Sequence, residues 1–274
     1  MVELEDIMRN YTCDKGDVFS DGAYAHNYVH YYKQYLDSNK NKIKKVLEIG
    51  IGKSNNAASL RVWRDYFPNA EIIGLDLYEF NLNIDKVRTY QCDQSSRREL
   101  SNIINKVGGD FDLIIDDGGH WIHQQQISLG YLFKYLKPNG IYVIEDMVKD
   151  YREVYNYNYS GDDLYNRLVS HKSKRSMLFI PYDLFQLLSY GNFPKNEFGD
   201  YIYNIGKYGM YKDLSNSTYK LIEDLNYNKN NVDSIYMSKE EIYYLIKHTD
   251  ESYVYDTSEL NCNNFGYIGF IRKK

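Results

Sequence analysis

Between Lys44 and Asp146, short aliphatic runs alternate with longer stretches that carry apolar residues at helical spacing. The runs are KVLEIG, AEIIGLDL, a shorter VRTYQC, FDLIIDD and GIYVIED, and the helix-like stretches lie around Asn55 to Tyr66, Ser95 to Val107 and Gln124 to Leu136. Runs apolar on both sides need cover on both faces, and strands joined by helical crossovers pair in parallel. The pattern predicts an α/β protein with a doubly wound, mostly parallel sheet. Pro68-Asn69 and Lys137-Pro138-Asn139-Gly140 read as turns that end two of the helices.

Around this core the pattern is less regular. Aromatics at helical spacing in AYAHNYVHYYKQYL predict a helix between Asp21 and Ser38, followed by a solvated basic linker, NKNKIKK. After Met147 a tyrosine-rich stretch runs to about residue 213; then come a helical STYKLIEDLN, a strand-like VDSIYM, a helical SKEEIYYLIKH and a final strand, NFGYIGFIR. We therefore expect an entry segment (1–40), a Rossmann-like core (41–150), an insertion or substrate lid (151–213) and a closing part of the same sheet (214–274).

Composition narrows the partners. With 33 Lys and Arg against 38 Asp and Glu, the net charge is −5, and no basic excess points to a nucleic acid. The opening MVELEDIMRN has acids where a leader peptide has a basic region, and no apolar run approaches membrane-spanning length, so a soluble cytoplasmic protein is expected. Cys13, Cys92 and Cys262 match neither a zinc pattern nor a disulfide framework. The 31 tyrosines fit the codon bias of an AT-rich genome, although clusters such as YREVYNYNYSGDDLY could also line a pocket.

The strand ends carry the chemistry. Glu48-Ile49-Gly50-Ile51-Gly52 closes the first run with glycines that let backbone approach a ligand. The dinucleotide fingerprint would need a glycine where Asn55 stands, and a phosphate-binding P-loop one where Leu47 stands. Asp76 follows the second run, placed for ribose hydroxyls, and Asp93 follows the third, placed for an exocyclic adenine amine. Each alone could be an acidic loop residue. The series fits S-adenosylmethionine, an adenosine without a pyrophosphate.

Asp116 and Asp117 end the fourth run, and Glu145 and Asp146 end the fifth. Four acids on one sheet edge repel one another, and a hard divalent ion such as Mg²⁺ relieves that repulsion through oxygen ligands. Helix capping or pairing with Lys and Arg is the alternative; it is the preferred account of a single acid, and the metal is the preferred account of two pairs at adjacent strand ends. His120, three residues past Asp117, could take a proton from a hydroxyl beside such an ion. His26 and His30 are spaced four apart but lack the Glu of a zinc-protease helix, so we expect them at a pocket or on the surface.

The residues EIGIG (48–52), SLRVWRDYFPNAEIIGLDL (59–77), CDQ (92–94), IDDGGH (115–120) and KPNGIYVIEDM (137–147) resemble the class I methyltransferases, and among them the metal-dependent sugar O-methyltransferases of macrolide tailoring. The entry segment, with Asp14-Lys15-Gly16, His26, Tyr28 and Tyr32, is similar to an Asp-Lys…His…Tyr segment of those enzymes. The resemblance implies a seven-stranded sheet, Asp117, Glu145 and Asp146 as metal ligands, and His120 as base with Asp117 beside it. It also implies Asp76 and Asp93 as cofactor contacts, with Glu48, Gly50, Gly52, Leu77, Gln94 and Asp116 around them. The family pattern has Ser where Gly119 stands and Gly-Gly-Tyr where Gly52-Lys53-Ser54 stands.

The implied acceptor is a sugar hydroxyl: a nucleotide-linked sugar, a surface-polysaccharide heptose or another glycoside. Oligomers are usual on this fold, which leaves a homo-oligomer open. Two other functions fit the same topology: a nicotinamide oxidoreductase, opposed by the absent third glycine, and a non-catalytic binding module, opposed by the intact set of acids.

Overall fold

A computed structural model describes residues 3–17, 25–52, 56–120, 122–147, 239–256 and 267–274. In chain order it contains α1 (Leu4–Asn10), α2 (Val29–Leu36), β1 (Lys45–Ile49), α3 (Ala58–Tyr66), β2 (Glu71–Asp76), β3 (Val87–Gln91), α4 (Arg97–Val107), β4 (Phe111–Asp116), α5 (Ile122–Leu132), β5 (Leu136–Met147), α6 (Lys239–His248), β6 (Thr249–Asp256) and β7 (Tyr267–Lys273). The strands form one seven-stranded sheet in the order β3-β2-β1-β4-β5-β7-β6. The pairs from β3 to β5 are parallel, while β7 runs antiparallel to both β5 and β6.

Strand alternation sends neighbouring residues to opposite faces, and each face is packed. Leu47, Ile49, Ile73, Leu75, Ile114, Tyr142 and Ile144 lie in one core with Leu100 and Ile104 of α4, Leu129 of α5 and Leu245 of α6. Val46, Ile72, Leu113, Ile115, Val143 and Phe270 lie in the other with Leu4 of α1, Tyr32 of α2 and Trp63 of α3. The doubly wound expectation holds. The entry segment is part of the second core: Tyr32 packs on Trp63 with ring centroids 4.9 Å apart, and Tyr35 stacks on Phe270 at 4.2 Å.

Three local expectations change. Within the span expected to be one helix from Asp21 to Ser38, the described helix begins at Val29, because His26 and Asn27 donate their backbone N–H groups to the carbonyls of Asp14 and Gly16. α5 ends at Leu132 and passes through a 3₁₀ turn, Phe133–Tyr135. Lys137 to Gly140 does not form a separate turn: β5 already starts at Leu136 and absorbs those residues as an irregularity, with Asn139 at φ 63° and the register against β4 shifting between Phe111 and Leu113. α1 and β6 have no counterpart in the sequence-based expectations. The tyrosine-rich stretch, STYKLIEDLN and VDSIYM lie outside the described residues.

Candidate active site

In the parallel part of the sheet every strand ends on the same edge, where open α/β folds bind their ligands. A cavity of about 540 Å³ opens there; Asp76 and Asp93, after β2 and β3, line one side, Asp117, His120 and Asp146, after β4 and β5, line the other, and Gly50, after β1, lies between them.

The glycine turn is fixed from both sides. Gly50 N–H donates to Leu75 O at 2.8 Å, and Asp117 N–H to Ile49 O at 2.9 Å, so the turn is held between β2 and the end of β4. Gly50 has φ +89°, and a Cβ there would sit 1.9 Å from the Asp117 carbonyl oxygen. Only glycine fits. Asp76 Oδ2 accepts from the N–H groups of Ile51 (2.8 Å) and Gly52 (3.2 Å), and its Oδ1 accepts from Tyr78 N–H (2.9 Å). Asp93 Oδ1 accepts from the backbone and hydroxyl of Ser95, while Glu99, beside the Ser96 cap of α4, accepts from Asp93 N–H. Leu77, next to Asp76 on the cavity wall, is 58% exposed.

Two residues grouped with the cofactor contacts lie deeper. Asp116 is fully buried, and its carboxylate accepts from Gln94 Nε2 (3.0 Å), Tyr142 (3.4 Å) and the Ser128 hydroxyl. Burial pushes its pKa up to about 6, opposed by the Ser128 and Gln94 hydrogen bonds. Strand alternation is the reason: Asp116 faces the core and Asp117 the cavity. Gln94 then accepts from Gly119 N–H at 2.8 Å, so Asp116 orders the IDDGGH turn through Gln94. Glu48 is also fully buried; neither carboxylate oxygen has a hydrogen-bond partner among the described residues, and burial raises its pKa to about 7 with Lys15 opposing.

At the far end Glu145 and Asp146 both line the cavity, which a regular strand would forbid for adjacent residues. Asp146 has φ +50°, and the β5–β7 register shifts between Ile144 and Met147. This bulge turns both acids to one side. Asp146 Oδ2 lies 3.6 Å from His120 Nε2, and Asp117 Oδ1 lies 4.0 Å from it. His120 itself has φ +59°, and its buried Nδ1 has no hydrogen-bond partner among the described residues. One ligand atom from each of Asp117, His120 and Asp146 falls within 4.8 Å of the others.

The entry segment supplies the opposite wall. Asp146 Oδ1 accepts from the Tyr28 hydroxyl at 2.5 Å and lies 3.1 Å from His26 Nδ1. Glu145 Oε1 accepts from the Tyr32 hydroxyl, and its Oε2 from Lys15 Nζ at 2.8 Å. Lys15 also donates to Asp117 Oδ2. Burial would strip the proton from His26, but the Asp146 hydrogen bond and charge outweigh it and raise its pKa to about 9. Asp146 is held below the usual carboxylate range: burial alone would raise it, and His26 more than offsets that. His26 reaches the cavity, whereas His30 is exposed on α2. Lys15, Tyr28 and Tyr32 carried no individual role in the sequence; the available signal was that several buried acids require buried donors.

No family model matches the chain. Over 131 residues it is 35% identical to mycinamicin VI 2''-O-methyltransferase of Micromonospora griseorubida, a match covering 46% of this chain and 32% of that protein. Over 127 residues it is 32% identical to demethylmacrocin O-methyltransferase of Streptomyces fradiae, covering 44% of this chain and 32% of that one. The chain thus spans about a third of the length of these curated relatives. Among solved structures, MycE methyltransferase of the mycinamycin pathway, in complex with Mg, SAH and mycinamycin VI, superposes with a TM-score of 0.56 at 20% identity, covering 99% of this chain and 53% of that one.

The fold is that of a class I methyltransferase. Its strand order, with the single antiparallel strand β7 between β5 and β6, agrees with the seven-stranded expectation. In this methyltransferase fold the acids at the ends of β2, β3, β4 and β5 share one edge.

Proposed function

We propose that the chain is an S-adenosylmethionine-dependent O-methyltransferase that acts on a sugar hydroxyl with the help of a divalent cation. The observation that carries this is the single cavity joining the Asp76 and Asp93 end to the Asp117, His120 and Asp146 end. Asp76 and Asp93 would receive the ribose and adenine of the cofactor, which supplies an electrophilic methyl group. The ledge suits a hard cation such as Mg²⁺: carboxylate oxygens converge within 4.8 Å beside an imidazole, and Glu145 stands next to them. Such an ion, when bound, lowers the pKa of an acceptor hydroxyl and fixes its position.

The chain's own groups supply the rest. His120, 40% exposed at the cavity, holds Nε2 toward Asp117 and Asp146, where it can receive the acceptor's proton as the methyl group moves in line. Asp117 and Asp146 then stabilise the imidazolium. Gly50 and Asp76 fix the wall against which the donor would be aligned.

For the acceptor we propose a glycoside, nucleotide-linked sugar or surface-polysaccharide sugar such as a heptose. Support comes from the names of the relatives, a mycinamicin VI 2''-O-methyltransferase, a demethylmacrocin O-methyltransferase and a 3'-O-methyltransferase of a rhamnosyl tetracenomycin C. The test is calorimetric titration with S-adenosylmethionine in the presence of Mg²⁺, repeated on Asp76→Ala and Asp93→Ala. Saturable binding that both substitutions weaken supports the assignment; heat with NAD instead overturns it.

A further inference from the structure

The acid ledge already contains a cation. Lys15 is 1% exposed; its Nζ lies 2.8 Å from Glu145 Oε2 and 3.8 Å from Glu48 Oε1, and it touches Asp117 Oδ2. With Tyr32 on the other oxygen, Glu145 has both oxygens engaged. What remains open toward His120 Nε2 is Asp117 Oδ1 and Asp146 Oδ2. An ammonium and a divalent ion repel each other, so two of the three expected metal ligands are held by a group of like charge to the metal.

We infer that Lys15 is the resident counter-cation of the ledge, and that a divalent ion gains Asp117 and Glu145 by displacing its ammonium from them. Lys15 is thus a positioning residue: it keeps the acids gathered while the ion is away and sets how tightly the ion is held. Without Lys15 four buried or half-buried carboxylates, Glu48, Asp117, Glu145 and Asp146, would face one another with the imidazoles of His26 and His120 as their remaining basic partners among the described residues. The metal-free protein would lose that support, and the ion would meet a more negative site.

The inference rests on the metal site proposed above, and the experiment separates the two. Mg²⁺ and Mn²⁺ are titrated by calorimetry into the wild-type chain, Lys15→Met, Lys15→Gln and Lys15→Arg, and thermal unfolding is followed with and without saturating Mg²⁺. Lys15→Gln can retain a hydrogen bond to Glu145 and serves where Lys15→Met fails to fold. Exchange predicts that both neutral variants bind the ion about tenfold tighter or more, and that they lose more stability without Mg²⁺ than with it. Lys15→Arg keeps the charge and should stay near wild-type affinity. Unchanged or weaker binding in the neutral variants, with equal losses of stability in both conditions, would make Lys15 a purely structural residue and overturn the exchange. If the wild-type chain binds neither ion, the metal site itself fails and the exchange falls with it.

Discussion

At the residue scale, the site is built from backbone conformations that most side chains cannot adopt. Gly50→Ala puts a Cβ into the Asp117 carbonyl at a positive φ, and should cost about 1–3 kcal/mol in denaturant unfolding. His120→Ala should lower kcat by about 10²- to 10⁴-fold while leaving S-adenosylmethionine affinity near wild type, since the imidazole stands at the other end of the cavity from Asp76 and Asp93. The His26–Asp146 pair gives a pH prediction. The folded pKa of His26, about 9, lies above the ordinary 6.5, so its contribution is complete below about pH 6.5 and is lost as pH rises through about 9. Without divalent ions, wild-type stability should fall across that window, and a His26→Ala chain should show a smaller fall. The sequence located both acid pairs and His120 because strand ends are legible in an apolar pattern. The apolar pattern put Asp116 and Asp117 on one ledge, and the family resemblance alone gave them different roles; that Asp116 turns into the core was not legible, since direction at a strand end depends on where the strand stops.

At the scale of elements, α3 supports the acid ledge through α2. Trp63 is fully buried between Tyr32 of α2 and Phe67, and Trp63→Ala should cost about 3–5 kcal/mol by chemical denaturation. Because Tyr32 also donates to Glu145, that substitution should loosen the ledge and weaken divalent-ion binding measurably by calorimetry. The β1-to-β5 elements were readable because continuous aliphatic runs permit little besides covered parallel strands. β6 was not: in TDESYVYD the polar Thr249 and Ser252 are buried while Tyr253 is exposed, so burial in this strand does not follow the apolar pattern. The bulge at Asp146 was equally hidden, since its cause is the pairing of β5 with the distant β7.

For the whole molecule, the entry segment is part of the core and of the site at once. A chain lacking residues 1–40 would lose Lys15, His26, Tyr28 and Tyr32 from the cavity side and uncover Trp63. It should fail to give a cooperative unfolding transition by circular dichroism, and should not bind Mg²⁺. The order of the strands adds a condition on assembly. β7 follows β6 in the chain yet lies between it and β5, so β6 has no strand of the sheet to pair with until β7 is in place. Tyr35, made long before, waits for the same strand, because its ring stacks on Phe270. The entry helix and the edge of the sheet are therefore completed together by one short segment, and a chain in which β7 is unpaired would leave both surfaces open at once.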